Sequence, residues 1–204
     1  MIVVAGVVIV LVLLLAVSSN GQPAALAAPE KALASARVEG LLEPFTSPLP
    51  DLGDESWTRY VRAMAIGRPG TITADGRVGI FGMELRRLED LGYVHDVRKV
   101  ERDGELSFEM EWIAPYSLDG FLRDGALQYK AFARSTADHR AKILGQYRAV
   151  IGQVVSGKVA TLSGLLGVTH QAGLGGLALW LSGQGDPITQ THLTSAFVRT
   201  TGTF

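Results

Sequence analysis

The first hydrophobic feature of the chain is an unbroken apolar run at residues 2–17, which no Lys or Arg precedes. As an α-helix this run would be about 24 Å long, against about 30 Å for the hydrocarbon core of a bilayer. A bilayer thins to accept a short span, and the polar residues 18–20 fit the headgroup region. The run therefore predicts a transmembrane helix over residues 1–18. The alternative is a secretory signal peptide with a small-residue cleavage motif at Ala25-Leu26-Ala27.

Residues 19–53 follow as a stretch rich in Ala, Pro, Ser and Gly, which is typical of a semi-extended linker. Either interpretation of the N-terminal run places everything beyond it outside the cytoplasm. At residue 54 the pattern changes, because Trp57, Tyr60, Val61 and Met64 recur at helical spacing after two acidic residues. A globular domain is predicted from residue 54 to residue 185.

Shorter periodicities divide this domain into predicted elements. A β-hairpin is predicted around Asp103-Gly104, because Leu106, Phe108, Met110 and Trp112 alternate strictly after that turn. The predicted helices after residue 82 are 83–91, 118–134, 138–155, 161–171 and 175–182. Residues 186–204 are predicted to form a polar tail. The expected fold class is α+β, mostly helical, with one small β-hairpin.

Composition excludes several classes of function. The 19 cations and 20 anions give a net charge of −1, and a nucleic-acid partner, which would need a concentrated basic face, is not expected. Without cysteine there is no disulfide, thiolate nucleophile or thiolate metal site. The four histidines lack ligand spacing, so neither a metal nor a cofactor is predicted.

Two segments carry a resemblance to a known family. The first is GIFGM at 79–83 with Leu91 and Gly92 further along, which align to the family pattern without a gap. The second is THQAG at 169–173, with Gly175 two residues later. In this order they resemble the second and third sequence blocks of soluble lytic transglycosylases, lysozyme-like enzymes that cut peptidoglycan. The resemblance covers residues 54–182 and implies a lysozyme-like fold with a glycan-binding cleft.

The chain departs from this family at the catalytic position. The family uses one glutamic acid at the end of the first helix, and the resemblance places that position at Met64 or Ala65. Neither side chain can donate a proton to a glycosidic oxygen. Glu84 is the candidate for a relocated glutamate, although a solvated helix residue is its more ordinary interpretation. Asp75 is interpreted as a turn residue, because Asp-Gly pairs favour turns for backbone reasons.

The resemblance also implies which residues would line a cleft. Gly82 replaces a cleft glutamine of the family, and His170 and Gln171 replace a tyrosine and an asparagine. His170 could hydrogen-bond a sugar, and the alternative is a histidine packed beneath the following glycine-rich turn. The predicted cleft residues are Gly82, Met83, His170, Gln171 and Gly173.

The leading hypothesis is a single-pass protein of the bacterial inner membrane, anchored by residues 2–17, with its domain in the periplasm. Its lysozyme-like domain would bind peptidoglycan or scaffold a cell-wall-crossing complex, such as a secretion or motor complex, without catalytic activity. One alternative is an active lytic transglycosylase that cleaves the MurNAc–GlcNAc bond with a relocated glutamate. The other is a subunit that makes only protein–protein contacts. Whether the chain is an enzyme is left open by the sequence.

Overall fold

The computed structural model describes residues 45–65, 72–102 and 104–204, without the side chains of residues 102 and 105. The predicted transmembrane helix and the predicted linker up to residue 44 lie outside these residues. Within the described part of the chain, no helix is both long and apolar enough to cross a membrane.

Helices alternate with short antiparallel hairpins along the described chain. The helices are α1 (Asp54–Met64), α2 (Leu85–Asp90), α3 (Leu118–Arg123), α4 (Gly125–Gln146), α5 (Leu162–Ser182) and α6 (Pro187–Thr200). The strands are β1 (Arg77–Val78), β2 (Met83–Glu84), β3 (Val94–Arg102), β4 (Glu105–Trp112), β5 (Val154–Val155) and β6 (Lys158–Val159), and they pair as β1–β2, β3–β4 and β5–β6. This confirms the predicted α+β class with mostly helical content.

The centre of the core is a group of stacked aromatic rings contributed by α1, α4 and the β1–β2 hairpin. Phe132 of α4 stacks on Phe81 with ring centroids 4.4 Å apart, and on Trp57 and Tyr60 of α1 at 6.0 Å each. All four rings are buried. Such large apolar surfaces dominate core energetics, so this stack fixes the end of α1 against the hairpin.

Residues 45–53, predicted as the end of the linker, belong to the domain. Phe45 is 1% exposed and packs on Tyr129 of α4, with ring centroids 5.2 Å apart. The Tyr129 hydroxyl donates to the carbonyl oxygen of Thr46 at 2.8 Å, and Arg140 pairs with Asp51. The proline-rich composition obscured two buried apolar residues here, Phe45 and Leu49.

The β1–β2 hairpin was not predicted from the sequence. Met83 and Glu84, expected to begin a helix, form β2 opposite β1, and α2 begins at Leu85. Gly79 in the connecting loop has φ of +76°, and a Cβ there would lie 2.4 Å from Oε1 of Gln128. That oxygen accepts a hydrogen bond from the backbone N–H of Ile80 at 2.7 Å. The loop therefore requires glycine for its conformation and for its close approach to Gln128.

The predicted pair of helices at 161–171 and 175–182 is confirmed as two halves of α5. The helix is interrupted at Ala172 and Gly173, where Gly173 adopts φ 66° and ψ −174°. This region of backbone space is essentially restricted to glycine. The break redirects the chain directly after His170 and Gln171, the two predicted cleft residues on this element.

The boundary predicted between the two middle helices is wrong. A break was expected at residues 135–137, but α4 runs without interruption from Gly125 to Gln146, and the break lies at Asp124. The side chain of Asp124 accepts a hydrogen bond from the N–H of Leu127 at 2.9 Å, as an N-cap does. Residues 148–155, the second part of the helix predicted over 138–155, form a 3₁₀ turn (Arg148–Val150) and strand β5, which pairs with β6.

The predicted polar tail at 186–204 is helical over most of its length. Helix α6 starts at Pro187, and the side chain of Asp186 caps it by accepting from the N–H groups of Ile188 and Thr189. Its buried face packs on α5, where Phe197 stacks on Trp180 with ring centroids 4.8 Å apart. The pattern Leu193, Ala196, Phe197, Thr200 is the helical signal that the many Thr residues obscured.

Candidate functional site

Two neighbouring cavities lie beside the β1–β2 hairpin, one where the hairpin meets α1, α5 and α6, and the other between β2, α2, α4 and α5. The larger, called the groove below, has a volume of about 250 Å³. It is lined by Met64, Thr73, Asp75, Arg77, Gly79, Phe81, Gly82, His170, Gln171 and Arg199. The second cavity, of about 190 Å³, adjoins the groove at His170, which lines both.

The structure divides the predicted site residues between these cavities. The groove contains Met64, Gly82, His170 and Gln171, which come from three separate parts of the chain. The second cavity contains Met83, Glu84 and Gly173. Ala65 is buried beside Met64 and belongs to neither lining.

Met64 ends α1 at the groove. The helix stops there because the next residue, Ala65, leaves the helical conformation with ψ of 60°. Met64 is 1% exposed, so its thioether forms part of the cavity wall. A thioether is apolar and carries no transferable proton, which makes this part of the groove chemically inert.

Arg77 of β1 organises the polar wall of the groove. Its guanidinium pairs with Asp75 at 3.0 Å and with Glu84 at 2.9 Å. It also donates to the carbonyl oxygen of Gly82 at 3.2 Å and to that of Gln171. With its side chain only 16% exposed, Arg77 joins the hairpin to the end of the first half of α5.

Asp75 is the one carboxylate among the groove-lining residues. It was interpreted from the sequence only as a turn residue and was not placed in the site. The turn itself is present, because the N–H of Gly76 donates to the carbonyl oxygen of Thr73 at 2.8 Å. Partial burial alone would raise the pKa of Asp75, but hydrogen bonds from Thr73 and the charge of Arg77 outweigh it and hold the pKa below its usual range. Asp75 is therefore ionised at neutral pH and is not a proton donor.

Glu84, the candidate for a relocated glutamate, faces the second cavity. Its carboxylate forms the 2.9 Å ion pair with Arg77, and its side chain is 37% exposed. The carboxylate is thus engaged by a guanidinium of its own chain, whereas acid catalysis of glycoside cleavage needs a carboxyl group that is directed at the glycosidic oxygen. The geometry of Glu84 thus favours a structural role.

His170 separates the two cavities and is uncharged at neutral pH. Burial lowers its pKa to about 4, the nearby charges of Arg77 and Arg199 contribute, and the hydrogen bond to Phe81 opposes them. Since a carbonyl oxygen only accepts, Nε2 of His170 carries the hydrogen and donates to the Phe81 carbonyl at 2.7 Å. Its ring also packs edge-on against Phe132 with centroids 5.4 Å apart. Nδ1 is left as a hydrogen-bond acceptor.

The second cavity contains another uncharged histidine. His139 of α4 is 8% exposed, and burial, together with the charge of Arg87, lowers its pKa to about 3. Arg87 in turn pairs with Asp138 at 2.6 Å and donates to the hydroxyl of Ser135 at 2.9 Å. No local sequence signal associated α2 with the middle of α4.

Arg199 of α6 also lines the groove, and no sequence reasoning pointed to it. Its Nε is buried and has no hydrogen-bond partner among the described residues. The hydroxyl of Tyr60, on the fully buried side of α1, is likewise buried without such a partner. Because α6 was predicted as a polar tail, its residues were not considered for a site.

One group of potential metal ligands lies elsewhere, on the β3–β4 hairpin. His95, Asp96 and Glu111 place their ligand atoms within 4.8 Å of one another, and all three residues are exposed. His95 Nδ1 lies 2.8 Å from a carboxylate oxygen of Asp96. Exposed polar side chains commonly form such contacts without a metal ion, and the absence of a metal site stays a prediction.

The chain was also compared with known proteins. No family model, no curated protein and no solved structure matches it.

Proposed function

We propose that this chain is a cell-envelope protein whose α+β domain is lysozyme-like and binds the glycan of peptidoglycan in the groove without cleaving it. The observation that carries this proposal is the convergence of Met64, Gly82, His170 and Gln171 on one cavity. Met64 is one of the two positions to which the resemblance assigns the family's glutamate. Gly82, His170 and Gln171 are three of the five predicted cleft residues, and the other two, Met83 and Gly173, line the second cavity. The meeting of Met64 with these three residues at one groove is what a common ancestry of the site would produce.

The chemistry of the groove supports binding without cleavage. Breaking a glycosidic bond by acid catalysis needs a neutral carboxyl group in an apolar setting. The family position for that group is Met64 or Ala65, neither of which carries a transferable proton, and the carboxylate of the groove, Asp75, is held ionised by Thr73 and Arg77. Loss of general acid–base action costs about 10²–10⁴-fold in rate, which leaves recognition as the remaining function of the groove.

The groove still offers groups that bind sugars. Nδ1 of His170 accepts hydrogen bonds, and Thr73 and Gln171 line the same wall. Phe81 and Met64 contribute apolar surface to the same groove. Ligand sites commonly combine an apolar lining with a few fixed polar groups.

The proposed location follows from the N-terminal sequence. Residues 2–17 would anchor the chain in the bacterial inner membrane and place the domain in the periplasm. A wall-binding domain on such an anchor would suit a subunit of a secretion or motor complex that crosses the cell wall. A subunit that makes only protein–protein contacts is the outcome if no glycan binds.

A second candidate function is an active lytic transglycosylase with a relocated carboxylate. The presence of Asp75 in the groove with His170 favours this alternative over a groove without any acid. Its low pKa opposes it, because an ionised carboxylate cannot protonate the leaving oxygen. Glu84, the residue first considered, lines the neighbouring cavity instead.

Purified sacculi test these functions directly. The full-length chain, purified in a mild non-ionic detergent, is incubated with sacculi, and both co-sedimentation and release of anhydro-muropeptides are measured. Gln171→Trp fills the groove, and Gln146→Trp, at the exposed end of α4, is the matched control. We expect co-sedimentation of the wild type and of Gln146→Trp, its loss in Gln171→Trp, and no anhydro products.

The other outcomes separate the alternatives. Absence of co-sedimentation for the wild type contradicts glycan binding and leaves the protein–protein role. Anhydro products that disappear in Asp75→Asn or in Glu84→Gln would establish the enzyme and identify its carboxylate. Equal co-sedimentation of both tryptophan variants would show that the glycan binds outside the groove.

A further inference from the structure

Arg199 is a positive charge in the groove without a counterion among the described residues. It lines the cavity from α6, and its Nε is buried without a hydrogen-bond partner there. Burial lowers the pKa of Arg199, opposed by its interaction with Tyr60, but an arginine stays protonated at neutral pH all the same. The groove therefore contains a permanent charge whose donors are not used within the described part of the chain.

The remaining charges of the groove lining balance one another. Asp75 and Arg77 form an ion pair at 3.0 Å. Arg77 also donates hydrogen bonds to Glu84 and to backbone carbonyl oxygens. His170 carries no charge at neutral pH. The excess in the groove is one positive charge, located on Arg199.

Tyr60, which lies near Arg199, does not supply a negative charge. The hydroxyl of Tyr60 is fully buried and unpartnered in the described structure, and burial raises the pKa of this phenol, which keeps it neutral. Arg199 is partly buried, and a charge that is partly removed from water without a partner is costly for the folded state. Proteins retain such groups where a ligand supplies the partner.

We propose that Arg199 binds a carboxylate of an acidic glycan, so that the groove selects anionic over neutral saccharides. The guanidinium presents donors in a planar fork that matches a carboxylate. This inference rests on the proposed glycan-binding function and specifies its substrate class. In peptidoglycan the carboxylate is either the lactyl group on the muramic sugar or an acidic group of the attached peptide.

Titration calorimetry with three ligands distinguishes these sources. The neutral ligand is a tetramer of N-acetylglucosamine. The second is a set of peptide-free glycan strands, released from sacculi by an amidase, whose lactyl carboxylates are free. The third is a set of strands that keep their peptides, so that the lactyl group is an amide and the carboxylates belong to the peptide.

The protein variants test the role of Arg199 in the full-length chain. Arg199→Met removes the charge, Arg199→Lys keeps it without the planar fork, and Arg123→Met is the control. Arg123 lies on α3 with an 80% exposed side chain and lines neither cavity. For wild-type protein we expect binding of at least one acidic ligand about tenfold or more tighter than binding of the neutral tetramer.

Arg199→Met should weaken binding of that acidic ligand by about tenfold or more and leave the neutral tetramer unchanged. Arg199→Lys should retain part of the preference, and Arg123→Met all of it. The preferred strands identify the carboxylate as sugar-borne or peptide-borne. Wild-type affinity should also fall with added salt more steeply than that of Arg199→Met.

The folding of the variant gives a second measurement. Because Arg199→Met removes a partly buried charge that has no counterion among the described residues, its urea midpoint should equal or exceed that of the wild type. A lower midpoint would show that Arg199 stabilises the fold, and would overturn the proposal. Glycan binding that does not distinguish acidic from neutral ligands would also overturn it, while the proposed function stands. Failure of the wild type to bind any of the three ligands would overturn both.

Discussion

Arg77 donates a hydrogen bond to the carbonyl oxygen of Gln171, the last residue before the break in α5. The same guanidinium pairs with Asp75 and Glu84 and donates to the carbonyl oxygen of Gly82. A single side chain therefore holds the β1–β2 hairpin against the helix that carries His170. The groove owes its shape to this connection, since the short hairpin has only two residue pairs of its own.

Replacing Arg77 by methionine should lower the free energy of unfolding by about 2 kcal/mol. Most of this loss comes from the carbonyl oxygens that lose a charged donor, because the partly exposed carboxylates of Asp75 and Glu84 can be solvated by water. Urea unfolding measures the change.

The control for this prediction is Arg123→Met. Arg123 pairs with Asp119 at 2.9 Å, but the two side chains are 80% and 71% exposed, so the change should stay within about 0.5 kcal/mol. Equal effects of the two substitutions would contradict the role assigned to Arg77.

Gly79→Ala should destabilise the protein by about 3 kcal/mol or more. The residue has φ of +76°, and a methyl group would lie 2.4 Å from Oε1 of Gln128, which is 1% exposed. The substitution combines backbone strain with displacement of a buried hydrogen bond, both recognised causes of large losses.

Gly145→Ala is the matched control with the opposite sign. Gly145 lies in α4 with no atom within 4 Å of an added Cβ, so alanine should stabilise the helix by about 0.5–1 kcal/mol. Both changes are measured by urea unfolding. A Gly79→Ala variant as stable as Gly145→Ala would mean that the hairpin loop differs from the described one.

The stability of the protein should decrease as the pH is lowered, because folding lowers the pKa of His170. The folded pKa of His170 is about 4, against 6.5 for an unperturbed side chain. Between these values the unfolded chain binds a proton at this position and the folded chain does not. The contribution of His170 is therefore complete above about pH 6.5 and is lost as the pH falls to about 4.

Urea unfolding at several pH values tests this through His170→Gln. Between pH 7 and pH 4 the variant should lose less stability than the wild type, by on the order of 2 kcal/mol. Glutamine retains an N–H donor for the carbonyl oxygen of Phe81. His192→Gln, at an exposed position on α6, should follow the wild type. Parallel curves for His170→Gln and the wild type would contradict the low pKa.

The sequence predicted those elements whose signals are local. The β3–β4 hairpin follows from strict alternation around Asp103-Gly104, and the break in α5 follows from the glycines after Gln171. The start of α4 was missed although Asp124-Gly125 is a pair of the kind that favours turns, because apolar residues continue at helical spacing on both sides of it. Local signals of this kind compete with each other, and packing decides between them.

The groove was predictable only in part, for a physical reason. Met64, Gly82, His170 and Gln171 could be selected because a family resemblance supplied their long-range relationship. Arg199 and Asp75 could not, because nothing local associates the end of α6 with a turn before β1. The cap Asp186-Pro187 and the buried positions of α6 were the available signals for the missing helix.

Gly173→Ala should alter the groove more than it alters the fold. No atom lies within 4 Å of a Cβ at this position, so the substitution introduces no steric clash. Its cost comes from φ 66° and ψ −174°, a conformation worth about 1–3 kcal/mol of strain for alanine. The chain can relieve this strain by changing the break in α5, which would move His170 and Gln171 away from Met64.

We therefore expect Gly173→Ala to lose about 1–3 kcal/mol of stability and most of its co-sedimentation with sacculi. Gly175→Ala is the control two residues further along α5, exposed and with open space around its Cβ. Because Gly175 is helical, alanine should stabilise the protein by about 0.5–1 kcal/mol and leave co-sedimentation unchanged. If Gly173→Ala kept full binding, the break in α5 would not be what positions the groove residues. If Gly175→Ala lost it, the glycine-rich segment would contact the glycan directly.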